Sequence, residues 1–205
     1  MTNERPDCPS LFQLALRAML IIASVLIASV VVVIGGLLLF SPGTSPPLLD
    51  QNGKLVAGSI SEKLHVHING IDQGMFLRGK DSTNPVLLFL HGGPGMPEFA
   101  FSQGYPAVLE DFFIVCWWEQ RGSGLSFNND IPPETLTEEQ LVADTLAVTN
   151  YLRARFSQEK IYLVAHWGGS FVGIWAAAQA PELYRAYIGV GQITRQLASE
   201  KLAYT

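Results

Sequence analysis

The sequence is poor in charge and in cysteine. Only 15% of its 205 residues are charged, against about 25% in an ordinary soluble domain. The deficit suggests that part of the chain is not built for water. Basic residues are outnumbered, 13 Lys+Arg against 18 Asp+Glu, for a net charge of −5. That balance argues against a nucleic-acid binder held by a basic patch. The two cysteines, Cys8 and Cys116, cannot form a disulfide framework, and their separation matches no zinc-site spacing. Cys116 lies in the apolar run FFIVCWW and reads as a small buried hydrophobe, whereas Cys8 in the polar tail is at most a site for acylation beside a membrane. No internal repeat or low-complexity tract is present.

Hydrophobic length is what the sequence has instead. No charged residue occurs from Ala18 to Leu49, and Met19 to Phe40 is almost wholly apolar. As a helix that stretch reaches roughly 33 Å, enough to cross a hydrocarbon core. A cleaved signal peptide is the competing reading, but its apolar region would run about 7–15 residues before a small-residue site. Here the run is longer, and the following SPGTSPP offers no A-x-A site. The expectation is a tail at 1–18, an uncleaved single-pass signal anchor at 19–40, a Pro/Gly/Ser-rich linker at 41–59, and a domain at 60–205. Arg5 and Arg17 precede the span and Lys54 follows it, a slight bias that leaves the domain extracytoplasmic. Residues 1–17 hold two acidic and two basic side chains, so the −5 belongs to the domain.

That domain begins with alternating Leu64, Val66 and Ile68, an Asn69-Gly70 turn and an extended Met75-Phe76-Leu77, the pattern of a β-hairpin. Apolar runs at 86–91, 112–118 and 161–166 read as strands covered on both faces. A helix is expected from Thr137 to Phe156, with Thr137 and Gln140 as a capping box and Leu141, Leu146 and Leu152 as its apolar stripe. A second helix is expected from Gly168 to Gln179, then a strand at 186–190 and a last helix from Gln192 to Leu202. Alternation of this kind predicts an α/β fold, a doubly wound and mostly parallel sheet.

Chemistry collects where the strands end. The first runs into His91-Gly92-Gly93-Pro94-Gly95, whose glycines leave backbone N–H groups open to a ligand, as an oxyanion hole requires. The second ends in Glu119-Gln120-Arg121-Gly122-Ser123-Gly124, and the third in Ala165-His166-Trp167-Gly168-Gly169-Ser170. With Pro181-Glu182 after the following helix, these segments resemble the α/β-hydrolase superfamily and, within it, the prolyl aminopeptidase (proline iminopeptidase) family. The resemblance covers about residues 60 to 204.

The resemblance implies hydrolysis of a small peptide, amide or ester by acyl transfer to a serine, with no metal and no organic cofactor. It makes the amides of Gly93 and Gly168 the oxyanion donors, and gives His91, Glu119, Arg121 and His166 structural places around the site. It also exposes a departure: where A-H-S-W-G-S is expected the chain has A-H-W-G-G-S, so Trp167 stands at the nucleophile position. Ser170 is a poor surrogate, since about four helical turns should separate the nucleophile from the Pro-Glu pair, as Trp167 does and Ser170 does not.

The chain's four histidines are His65, His67, His91 and His166; none lies where the superfamily places its triad histidine, after a helical cap. His65 and His67 share one face of the first strand, but no third metal ligand is in view. The expectation is an incomplete α/β-hydrolase core, inactive and anchored in a membrane through 19–40. The alternatives are a tethered interaction protein that pairs through an open sheet edge, or a truncated product.

Overall fold

In the computed structural model, residues 10–40, 43–93, 95–104, 108–195 and 201–202 are described, and two compact units divide between Gly43 and Thr44. The first unit is one α-helix, α1 (Leu11–Phe40), which from Leu11 to Leu39 is long and apolar enough to cross a membrane, its most apolar 18 residues having none of their number buried in the protein. It starts eight residues before the expected span. The cause is local: Ser10 and Gln13 close a reciprocal capping box, Gln13 N donating to Ser10 Oγ and Ser10 N to Gln13 Oε1, ahead of the apolar Leu11, Phe12, Leu14 and Leu16. Its serines cost little within an apolar helix, because Ser24 and Ser29 return their hydroxyls to the carbonyls of Leu20 and Leu26.

The second unit is an α/β domain. Its elements are β1 (Ile60–Ile68), β2 (Ile71–Gly79), β3 (Val86–Leu90), α2 (Phe99–Ser102), α3 (Leu109–Phe112), β4 (Ile114–Trp118), α4 (Glu138–Arg155), β5 (Ile161–His166), α5 (Gly168–Gln179) and β6 (Tyr184–Val190). The strands form one sheet in the order β1-β2-β4-β3-β5-β6. The sheet is mixed: β4, β3, β5 and β6 run parallel, as the mostly parallel expectation has it, while β2 pairs antiparallel with both β1 and β4. The reason is the Asn69-Gly70 turn, both residues at positive φ, which folds β1 back on β2 at once where a parallel neighbour would need a crossover.

The pleat sends alternate side chains into two cores. On one face Leu77, Leu88, Leu90, Cys116, Trp118, Leu163 and Ala165 meet Val148 and Leu152 of α4 and Val172 and Ala176 of α5. On the other, Leu87, Val115, Trp117 and Val164 pack with Phe99. Phe76 stacks on Phe99 at 3.8 Å between centroids. Cys116 is fully buried, and burial pushes its thiol pKa far up, as expected of a small core hydrophobe.

Helix α4 begins where expected, with Thr137 Oγ1 accepting from Gln140 N at 3.2 Å. The Gln140 side chain, however, reaches Asp144 and not back to the cap. The buried face of α4 is Val142, Thr145, Val148, Thr149 and Leu152 together with Asp144, while Leu141 and Leu146 flank it half-buried. Part of the stretch expected as linker is docked on the domain: the buried Arg78 guanidinium donates to Ser45 Oγ, Ser61 Oγ and the Pro46 carbonyl, and to Glu110 Oε1 at 2.9 Å. Of the expected final helix, residues 192–195 are not helical, 196–200 lie outside the described residues, and 201–202 are helical. β6 stands at the end of the sheet, with Ile188 and Val190 nearly half exposed.

Candidate functional site

Three strand ends meet at one edge of the sheet. At the end of β3, His91 is buried and fully engaged. Its Nδ1 donates to the Gly92 carbonyl at 2.9 Å, which leaves Nε2 to accept from the Gln120 amide at 3.0 Å. Gln120 returns a bond to the His91 carbonyl at 3.0 Å, and Ser123 Oγ lies 3.0 Å from Nε2. Burial lowers the His91 pKa, so the ring stays neutral, as those bonds require. His91 thus ties the glycine loop to the loop after β4.

That second loop is held from below by a charge. Asp144 is completely buried and accepts from Arg121 Nε at 2.7 Å, Arg121 Nη2 at 3.1 Å, and Asn69, Gln73 and Gln140 at 2.8 Å each. Arg121 also donates to the Asn69 carbonyl at 3.0 Å, and Gln73 Oε1 accepts from the Trp118 indole at 2.9 Å. A buried ion pair with this many hydrogen bonds is the kind whose desolvation is compensated. Glu119 lies in the same loop, accepting from the Leu125 amide, and burial raises its pKa.

At the end of β5 the chain turns sharply into α5. Trp167 adopts φ 43° and ψ −114°, a conformation that an L residue with a large side chain avoids. The turn is fixed by Trp167 N donating to the Val190 carbonyl at 2.8 Å and by two glycines. A Cβ on Gly168 would lie 2.5 Å from the Gly93 carbonyl oxygen, and one on Gly169 2.4 Å from that of His91. The loops after β3 and β5 are therefore in backbone contact. Gly168 and Gly169 open α5, so their amides have no intrahelical acceptor. A cavity of about 170 Å³ lies against them, lined also by Gly92, Gly93, Gln120 and Leu141.

The Trp167 side chain is half exposed at the tip of the turn. Ser170 is fully buried: its hydroxyl donates to the Trp167 carbonyl and accepts from the Ile193 amide at 2.9 Å. His166, just before the turn, pairs through Nδ1 with Glu98 Oε1, which also accepts from the Gly92 amide at 3.1 Å. Of the other histidines, His67 pairs with Asp72 at 2.9 Å on the surface, and no group of three His, Cys, Asp or Glu side chains able to hold a metal occurs among the described residues.

Sequence reasoning missed Asp144 and Glu98. The first left a signal: Asp144 lies one and two turns before Val148 and Leu152, on the buried face of α4, where an acid needs a partner. Nothing in the spacing marks Glu98.

A mixed sheet with glycine-bearing strand ends and a strained strand-to-helix turn defines an α/β-hydrolase core. Residues 85–204 match the family described as alpha/beta hydrolase fold, and the chain belongs to it. Within it the chain resembles the proline iminopeptidases. It is 38% identical over 146 residues to a probable aminopeptidase of Bacillus subtilis strain 168, covering 71% of this chain and 46% of that protein. It is 31% identical over 105 residues to the proline iminopeptidase of Lactobacillus helveticus, covering 51% and 34%. Among solved structures, a proline iminopeptidase-related protein of Thermus thermophilus aligns with TM-score 0.54 at 29% identity, over 63% of this chain and 44% of that one. An epoxide hydrolase of Vigna radiata aligns with TM-score 0.53 at 27% identity, over 63% and 38%. The chain thus spans less than half the length of these relatives, and the fold they share serves more than one reaction.

Proposed function

We propose that this chain is a membrane-anchored α/β-hydrolase-like protein, related to serine aminopeptidases, that holds a carbonyl ligand on its glycine amides without cleaving it. The observation that carries this reading is Trp167, which takes the strained backbone conformation of the elbow while presenting an indole. Acyl transfer needs an oxygen or sulfur lone pair at that point. The indole supplies none, and the Ser170 hydroxyl is buried with its proton and a lone pair already committed. The amides of Gly93 and Gly168 remain as donors, suited to a carbonyl oxygen of a peptide, amide or ester. His91, Arg121 and Glu119 hold the loops in place. Anchorage rests on α1, whose apolar length suffices for a single crossing, with the domain on the extracytoplasmic side.

The test is incubation of the purified chain with a fluorophosphonate serine probe and with a proline arylamide. Neither labelling nor release of arylamine is expected. Labelling abolished by Ser170→Ala, together with turnover, would overturn the reading. A second reading is favoured by one observation: Ile188 and Val190 are exposed on the end strand β6, an apolar edge open to pairing with another chain. Size-exclusion chromatography in detergent separates the two, since strand pairing through this edge predicts a complex and not a lone monomer.

A further inference from the structure

The stretch before β1 is not a slack tether. Its beginning is held by Arg78, which donates to Ser45 Oγ at 3.1 Å and to the Pro46 carbonyl, while Ser61 Oγ donates to the same carbonyl at 2.7 Å. Its end is held where the Ser82 amide donates to the Gly58 carbonyl at 2.8 Å. Between these points residues 48–56 close a small hairpin. Leu49 and Leu55 are bridge partners, and Val56 N donates to the Leu48 carbonyl at 2.9 Å. The tip is fixed by its own side chain: Asp50 Oδ1 accepts from the amides of Asn52 at 2.8 Å and Lys54 at 2.9 Å.

The pleat turns Leu48 into the domain, where it is buried, and Leu49 out of it. Directly opposed residues share a face, so Leu49 and Leu55 stand side by side, 51% and 69% exposed. A single exposed leucine is ordinary. Two together, on a turn whose backbone groups bond one another, form an apolar face that the domain does not use. They are far too little for a protein partner, which takes about 800 Å² from each side. Nor would they hold a bilayer unaided, since even one acyl chain binds only marginally. They suffice at a surface where the chain already holds them.

Helix α1 supplies that surface. Leu37, Leu38 and Leu39 are apolar and exposed, so the helix suits lipid up to its last residue, Phe40. Only residues 41–44 separate Phe40 from Ser45, and five chain steps reach at most about 18 Å. Leu49 is four residues further on. The tether therefore keeps both leucines at high effective concentration beside the headgroup layer. Lys54, exposed at the tip, reaches headgroup phosphates with its ammonium while its stem follows the apolar face.

We propose that the hairpin of residues 48–56 is a second membrane contact, with Leu49 and Leu55 seated in the interfacial layer of the bilayer that α1 crosses. The proposal rests on the anchorage reading. It gives the domain two points of attachment in place of one.

The experiment uses the full chain carrying Cys8→Ser, reconstituted in phosphatidylcholine vesicles with brominated phosphatidylcholine as the quencher. Cys116 is fully buried and takes no label. A nitrobenzoxadiazole label is placed in turn at Leu55→Cys, at Val25→Cys within α1, and at Asp130→Cys on the exposed surface of the domain. Brominated lipid is expected to quench the label at 55 about twofold, in line with the depth of about 5–10 Å at which interfacial apolar faces lie. The label at 130 should be unchanged. Adding Leu49→Ser should weaken the quenching at 55, and Leu49→Cys is the alternative reporter should a label at 55 disturb the bridge. Labels at 49 and 55 quenched no more than the one at 130, beside a quenched label at 25, would overturn the hairpin contact and leave the anchorage standing. An unquenched label at 25 would overturn the anchorage itself, and the hairpin contact with it.

Discussion

The turns at the ends of β3 and β5 touch through their backbones, yet they have kept different things. The β3 turn has both its backbone and its chemistry intact: the His91 nitrogens and carbonyl are satisfied, and the loop it holds is seated on the Arg121–Asp144 pair. The β5 turn has kept its backbone alone. It bends as an elbow must, with glycines where Cβ atoms would collide, but the residue displayed at the bend is Trp167. The difference teaches that the elbow conformation is imposed by its surroundings and not by the residue that occupies it. The Gly168 and Gly169 contacts and the Trp167-to-Val190 hydrogen bond hold a bulky residue at positive φ.

The comparison breaks most severely at the bracing of the β3 side. Asp144→Ala would leave a buried guanidinium and three side-chain amide donors without their acceptor. A loss of about 3–5 kcal/mol is expected in equilibrium denaturation. Replacing Arg121 and Asp144 together by Met and Leu should cost much less, because no unpaired charge remains. At the contact between the turns, Gly169→Ala places a methyl 2.4 Å from the His91 carbonyl and 2.7 Å from that of Leu90, both backbone atoms that cannot step aside. About 1–3 kcal/mol of destabilisation follows, and the amide protons of 91–93 and 168–169 should exchange faster.

Much of this architecture was legible in the sequence. The hairpin, the three apolar strands, the Thr137 cap and the bounds of α5 were all signalled by periodicity, an Asn-Gly turn and Pro181. The antiparallel pairing of β2 with β4 was not, since a continuous apolar run such as IVCWW looks the same beside a parallel or an antiparallel neighbour, and β4 has one of each. At the site, the glycines and Trp167 were visible because short motifs fix them. Asp144 was hidden among the residues of an apolar face, and Glu98 meets His166 only because the β3 and β5 turns come together. Contacts between distant segments leave little local trace.

Trp167 gives the smaller stability test, and one of opposite sign. Its side chain is half exposed, so truncation loses little packing, while glycine accepts φ 43° freely. Trp167→Gly should therefore stabilise the domain by about 1 kcal/mol, the lower end of what a strained position stores. Destabilisation would mean the indole is held by packing and the strain lies elsewhere.

The mildest effect concerns pH. Burial holds the His91 pKa below its ordinary value near 6.5, so in the window from there downward the unfolded chain binds a proton that the folded chain refuses. Its contribution to stability is full above that value and declines as pH falls through it toward the folded pKa. Glu119 acts in the opposite direction: its pKa is raised by burial, so the folded chain holds its proton longer and the loss comes as pH rises above the usual carboxylate range. Melting temperatures of the wild type and of His91→Gln, taken in steps from about pH 7.5 to below about 6, separate the two. The glutamine carbonyl can still accept from the Gln120 amide but does not titrate, so the variant should lose the acid-side decline that His91 causes. An unchanged profile would place the acid sensitivity outside the β3 turn.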